Sequence, residues 1–414
     1  MSGLCGWTGY ASGEDDPRVL ASMAGALTRH DHSEARTAAW AGGAVAAAAL
    51  HGHSDLFERE GLRAVTVGRV LIDDERVADP ARAVAEAFSE RGAAVLDRLS
   101  GRFVLAVVAG DEVLLATDRL GRMPLVYSWR DGCLVFGSSG AALQVHPGAA
   151  STVDPQSIYE YFFFHQVPAP RTIRKGHKRL LPGSFLHLKN GSLREETYAR
   201  PKFAPEAADL EEFEREFCEL LRESVRECAG DADTACFLSG GTDSSTVAGV
   251  LAELSTEKVK SYSIGFQADG YDEMEYATCA AEHFGTEHRK YYVTQDDVLT
   301  AVTKIAEVHA DPFANESAVP TYFCAKIAKE DGVELMLAGD GGDELFGGNE
   351  RYVAMDVFAR WDRVPAVLRP LVKAGVNLFP FGSKIGLVRK ARSYIAKASM
   401  PMPDRIYAYA LLPT

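Results

Sequence analysis

The chain is 414 residues long, 47% hydrophobic and 25% charged, which excludes a disordered or fibrous protein and predicts two or three domains. Its 58 acidic residues against 44 basic ones give a net charge of −14, the wrong sign for a nucleic-acid or anionic-membrane partner. There is no membrane-length apolar run, no signal-peptide pattern and no CxxC pair among seven scattered cysteines, so a reducing cytoplasm is the expected setting.

In chain order, residues 38–50 are an apolar run with two glycines that suits a buried strand or helix. Short β-rich runs follow at 65–72, 103–108, 113–116, 125–128 and 133–137, with hairpin turns at Ala109-Gly110-Asp111 and Arg130-Asp131-Gly132. Residues 80–90 carry a helical pattern with a proline in the first turn. Asp154 and Pro155 open a capped helix whose Tyr159, Phe162 and Phe163 are expected to form domain-interface core. A last hairpin at 185–191 precedes a Pro- and Ala-rich stretch, where the boundary between domains 1–205 and 206–414 is placed. The first domain reads as α+β with much antiparallel sheet.

The second half changes rhythm. An amphipathic helix over 210–228 is followed by strands at 234–238, 259–266, 289–293 and 333–338. Helices at 243–254, 273–284, 295–309 and 319–330 alternate with them. Near-continuous apolar strands between helices predict an α/β doubly wound parallel sheet, where ligands bind beyond the strand carboxyl ends.

Two Gly-rich turns sit at such ends. The first is Leu238-Ser239-Gly240-Gly241-Thr242-Asp243-Ser244-Ser245. Its glycines let backbone N–H groups approach an anion, its serines add donors, and the next helix points its positive end there. It lacks the Lys-Ser/Thr of a Walker loop, and Asp243 is compatible with phosphate only if a cation shares the site. The second, from Ala338 to Gly348, holds five glycines and the acids Asp340, Asp343 and Glu344. Clustered acids repel unless a hard cation bridges them to phosphate.

SGGTDSS, Tyr262-Ser-Ile-Gly-Phe266, Asp311-Pro312-Phe313 with Ser317-Ala-Val-Pro320, and GDGGDELFGGNERY resemble the synthetase half of the glutamine-dependent asparagine synthetase family. Met1 to Trp7, Asp118 to Leu125 and Arg179 to Gly183 resemble segments of its amidotransferase half. The resemblance implies an Ntn-type amidotransferase-like sandwich followed by a PP-loop ATP pyrophosphatase sheet. It also implies the cofactors ATP and Mg²⁺, a small-molecule carboxylate and a nitrogen donor. ATP's pyrophosphate would lie on Ser239, Gly240, Gly241, Asp243 and Ser244, and adenine against Leu238, Ile264 and Gly339. Asp243 and Asp343 would hold Mg²⁺, and Asp340 stands where the family has an acid needed for acyl-adenylate formation.

The chain also departs from the family. Ser2 stands where active members have the nucleophilic cysteine, and Cys5 carries a peptide amide in place of a free amine. The glutamine-binding segments are altered, and Asp79 alone falls on a family position, where it reads equally as a helix cap before Pro80. His30, His32, His51 and His53 have spacings that do not suit one helix face, and no metal is expected there. The family's later segment, with a lysine near the acyl-adenylate, has no counterpart before Thr414, so either a truncated or split product or a second chain supplying that part is expected, and a homo-oligomer is left open.

The leading expectation is an ATP-dependent amide-forming ligase of the asparagine synthase type with an inactive glutaminase half, taking nitrogen from ammonia or an amine. An amide cyclase of the β-lactam synthetase or lasso-peptide kind, and a non-catalytic nucleotide-binding scaffold, are the alternatives.

Overall fold

The computed structural model describes residues 3–10, 16–29, 33–49, 54–202, 209–230, 233–266, 273–315, 317–378, 386–402 and 404–405. It divides into two units, residues 1–205 with 306–315, and residues 206–305 with 316–414.

The strands of the first unit are β1 (Gly3–Thr8), β2 (Arg36–Trp40), β3 (Gly43–Ala48), β4 (Ser54–Arg59), β5 (Leu62–Ile72), β6 (Glu75–Arg76), β7 (Leu99–Ala109), β8 (Glu112–Thr117), β9 (Val126–Arg130), β10 (Cys133–Gly137), β11 (Lys178–Arg179), β12 (Ser184–Lys189) and β13 (Ser192–Thr197). They form two antiparallel sheets, ordered β11-β9-β10-β1-β3-β2 and β13-β12-β8-β7-β5-β4, with β6 beside β5. Alternate residues decide the layers. Leu4, Val45, Val65, Val67, Val104 and Ala106 point inward and meet between the sheets. The intervening Cys5, Trp7, Ala44 and Ala46 face the other way, against Leu20, Met23 and Leu27 of helix α1 (Asp16–Thr28). Phe103, Leu105 and Val107 likewise face Val84, Ala85 and Phe88 of helix α2 (Pro80–Arg91). The result is a four-layer sandwich, helix on sheet on sheet on helix.

Two expectations are revised here. The apolar run at 38–50 is a tight hairpin, with β2 and β3 paired Trp40 to Gly43 and the turn passing through Gly42 at φ +80°. Two short helices, α3 (Gly140–Gln144) and α4 (Pro155–Phe164), complete this part. The cap of α4 is present, since the Asp154 carboxylate accepts the Gln156 N–H at 3.1 Å. Its aromatic face is not core: Tyr159 and Phe162 are 64% and 74% exposed. The helix docks through its polar side, where the Ser157 hydroxyl donates to the Thr172 carbonyl at 2.7 Å and Glu160 pairs with Arg171 at 3.1 Å.

Residues 306–315 return to this unit. The Asp311 carboxylate accepts the Ile173 N–H at 2.7 Å and pairs with Arg179, while the Ala314 N–H donates to His165 at 2.7 Å.

The second unit opens with helix α5 (Leu210–Ala229) and continues β14 (Thr234–Phe237), α6 (Thr242–Leu254), β15 (Lys260–Phe266), α7 (Met274–Phe284), β16 (Glu287–Val293), α8 (Gln295–Val308), α9 (Ala318–Glu330) and β17 (Leu335–Leu337). The sheet is wholly parallel and ordered β16-β15-β14-β17. Val225, Ala248, Leu251, Ala277 and Ala281 pack against one face, and Cys324 and Ala328 of α9 against the other. β17 is shorter than its apolar run, because the Val333 N–H is used in leaving α9, donating to Ala328 at 2.9 Å. The remaining helices α10 (Gly342–Phe346), α11 (Glu350–Ala359), α12 (Arg369–Asn377) and α13 (Gly386–Ala398) follow β17, and Phe358, Trp361, Ile395 and Ala398 form a small core of their own. Among the described residues, no helix is long and apolar enough to cross a membrane.

The strand order reverses between β14 and β17: succession runs outward from β14 through β15 to β16, then returns to β14's other side. A crevice opens at the carboxyl ends flanking such a switch point. Both Gly-rich turns leave from those two ends.

Candidate functional site

The first turn is held by its own side chains. The Ser239 N–H donates to Ser244 Oγ at 3.2 Å, the two hydroxyls lie 2.9 Å apart, and Ser244 Oγ donates to the Gly241 carbonyl at 3.2 Å. Gly240 sits at φ +86°, and a Cβ there would lie 2.5 Å from the Ala277 nitrogen, so glycine alone lets the turn rest on α7. Gly241 is the N-cap of α6 and no side chain caps that helix, which leaves its first N–H groups and their partial positive charge facing outward.

The second turn closes onto the first. A Cβ on Gly339 would lie 2.9 Å from the carbonyl carbon and Cβ of Asp243 and 3.0 Å from the Ser244 nitrogen. The Asp243 carboxylate rests over Gly342, and the Asp343 carboxylate over Gly348. Two glycines therefore give Asp243 its place, and the sequence positions of both had marked them as unusual.

Between the turns lies a cavity of about 410 Å³. Leu238, Ser239, Asp243 and Ser244 line it from the first turn, Ile264 from β15, and Gly339 and Asp340 from the second. Gly240 and Gly241 stand behind this wall, shaping the turn, and Asp343 lies outside it on α10. Sequence reasoning missed Ser263 of β15 and Thr321 and Cys324 of α9, which also line the cavity. Ser263 lies inside the Tyr262–Phe266 motif and was the one with a signal. The Cys324 thiol is buried and pushed up to about 12, so it is an inert wall.

The lining holds the carboxylates of Asp243, Glu273 and Asp340 and no Lys, Arg or His among the described residues. Such a wall takes a polyanion only together with a hard cation, and the uncapped start of α6 supplies further positive potential. The glycine-made space and the donor set fit a nucleotide phosphate with Mg²⁺. Among the described residues no three His, Cys, Asp or Glu side chains gather as a complete metal cage. A cation at Asp243 and Asp343 would thus draw its other oxygens from phosphate and water.

The amidotransferase positions stand differently. Ser2, His30, His32, His51 and His53 lie outside the described residues. Cys5 is fully buried under α1, and burial pushes its thiol up to about 12, which removes it as a nucleophile. Asp79 occupies the N-cap position of α2 without capping it; the Ala81 N–H donates instead to the Asp55 carboxylate at 3.1 Å.

Residues 216–409 match the family model for asparagine synthase, and residues 78–199 match the glutamine amidotransferase domain. The first match falls on the unit with the parallel sheet and the second on the antiparallel sandwich. Asparagine synthetase [glutamine-hydrolyzing] 1 of Bacillus subtilis is 28% identical over 312 residues, covering 74% of this chain and 48% of that protein. Asparagine synthetase [glutamine-hydrolyzing] 3 of the same organism is 29% identical over 281 residues, 63% of this chain and 45% of the relative. Asparagine synthetase B [glutamine-hydrolyzing] of Escherichia coli is 26% identical over 282 residues, with the same coverage of 63% and 45%. The chain spans about half the length of these relatives. The chain thus joins a region matching the glutamine amidotransferase domain to one matching asparagine synthase, and it is similar to glutamine-hydrolysing asparagine synthetases.

Proposed function

We propose that this protein is an ATP-dependent carbon–nitrogen ligase that activates a carboxylate, aspartate or an aspartate-like acid, and converts it to an amide. The observation that carries the reading is the contact of the two Gly-rich turns, Gly339 against Asp243 and Ser244, around one cavity at the sheet's switch point. In this reading the pyrophosphate portion of ATP lies on the first turn against Ser239 and Ser244, with Gly240 and Gly241 shaping the turn behind them and the uncapped start of α6 facing it. Leu238, Ile264 and Gly339 form the adenine wall. Asp243 and Asp343 hold Mg²⁺, which neutralises the departing pyrophosphate when bound. A substrate carboxylate oxygen attacks the α-phosphorus, and the bond to the bridging oxygen of pyrophosphate breaks. Asp340, exposed at the mouth of the second turn, assists this step. Ammonia or an amine then attacks the acyl carbon, loses a proton, and AMP departs with the acyl C–O electron pair.

Nitrogen enters as ammonia or an amine because the sequence places serine at position 2 and Cys5 is buried with a raised pKa. The chemistry is assigned to the reducing cytoplasm, in keeping with seven unpaired cysteines. Pyrophosphate release from Mg·ATP, with aspartate as acceptor and ammonia or glutamine as donor, tests the reading. The expected result is pyrophosphate formation that depends on acid and ammonia, with no glutamate from glutamine above a heat-killed control. Robust glutamate release would overturn the nitrogen assignment, and absence of Mg·ATP binding would overturn the ligase reading.

A further inference from the structure

One buried hydroxyl beneath the cavity has two partners that fix each other's protonation. Ser263 is 4% exposed, and its Oγ contacts the Leu238 carbonyl and, at 2.6 Å, His288 Nε2 of β16. A carbonyl only accepts, so the hydroxyl donates to Leu238 and offers its lone pairs to the ring. Nε2 therefore carries the hydrogen, and Nδ1 is the bare nitrogen. Nδ1 is buried without a hydrogen-bond partner among the described residues, so a second ring proton would have nothing to bond. Burial, reinforced by Lys290, accordingly holds the imidazole below the ordinary histidine range. His288 is a neutral donor pointing one way.

This pair stands where two strands part. β14 pairs with β15 through Cys236 to Ser261 and Phe237 to Tyr262, and the Leu238 N–H still reaches the Tyr262 carbonyl at 3.0 Å. There β14 ends and the first turn begins, while β15 runs on to Phe266. The Leu238 carbonyl takes its hydrogen bond from the Ser263 side chain. Leu238, Ser263 and Ile264 then line the cavity that occupies the fork.

We propose that His288 is a positioning residue for the nucleotide: through Ser263 it locks the Leu238 carbonyl and so sets the fork that takes the adenine. The proposal rests on the ATP reading above.

The test is calorimetric titration of the full chain with Mg·ATP, AMP and inorganic pyrophosphate. His288→Phe removes the donor, Ser263→Ala removes the bridge, and His288→Gln puts an amide N–H close to the position of Nε2. Both deletions should weaken Mg·ATP and AMP by a common factor, roughly 5- to 30-fold, and leave pyrophosphate affinity unchanged. The double variant should bind no worse than His288→Phe, because one relay is lost once, and His288→Gln should recover most of the affinity. Should His288→Phe not fold, Ser263→Ala, which deletes one oxygen, and His288→Gln decide the matter. Parent-like ATP and AMP affinity in the deletions would overturn the positioning role and leave the ATP reading standing. Equal weakening of pyrophosphate would overturn it as well, by showing general loosening. A parent chain without affinity for Mg·ATP would overturn both.

Discussion

Replacing Gly339 with alanine adds one methyl group where the two Gly-rich turns touch. That carbon would lie 2.9 Å from two Asp243 atoms and 3.0 Å from the Ser244 nitrogen, whereas ordinary contact begins near 3.4 Å. About half an ångström must be found, and α6 cannot readily supply it, since Ala248 and Leu251 anchor that helix in the core. Overpacking of this kind costs about 1–3 kcal/mol. If the turns part to relieve it, the cost appears in nucleotide affinity as roughly a 5- to 150-fold weaker Mg·ATP complex. Calorimetric titration of parent and variant, with circular dichroism to establish that the fold is kept, measures this. Gly375→Ala is the control, because no atom lies within 4 Å of its added Cβ and the position is helical. Equal Mg·ATP affinity in Gly339→Ala and the parent would refute the claim that contact between the turns builds the site.

Asp243→Asn should weaken Mg·ATP binding about tenfold or more. Asp340→Asn should spare binding and slow pyrophosphate release on the order of 10²- to 10³-fold, so that titration and turnover separate the two acids. His146 is fully buried against Trp7 and Tyr10, its Nδ1 accepts the Gly148 N–H at 3.1 Å, and burial lowers its pKa from 6.5 to about 4. The folded ring is harder to protonate than the unfolded one, so its stabilising contribution is full above about pH 6.5 and falls as pH drops toward about 4. By about pH 5 the loss is roughly 2 kcal/mol. His146→Asn, which keeps an acceptor for Gly148, should flatten that part of the pH dependence of urea unfolding followed by tryptophan fluorescence.

Legibility in the sequence followed burial geometry. β14 and β17 could be read as short apolar runs between helices because the parallel sheet is covered on both faces there, whereas the edge strand β16, Glu287–Val293, is largely polar and could be read mainly from its end at residues 291–293. The same double coverage hid β3: all six residues from Gly43 to Ala48 are buried, between the other sheet and α1, so no period-two alternation marks the strand. In α4 the cap and the shared face of Tyr159 and Phe162 were legible. Whether anything covers that face was not, since periodicity says which residues lie together and nothing about their neighbours. The glycines of the site stood out because so many serve no helix or strand. The relay from His288 could not be seen, as it joins residues 25 positions apart through the register of β15 against β16.

The return of residues 306–315 to the first unit has a consequence for modularity. A gene cut after residue 205 separates Arg179 from the carboxylate of Asp311 and strips the Ile173 N–H of its acceptor. The first unit is therefore not a removable cassette. Recombination that exchanged one front half for another would succeed only where the incoming segment carried its own match for a short stretch encoded a hundred codons downstream.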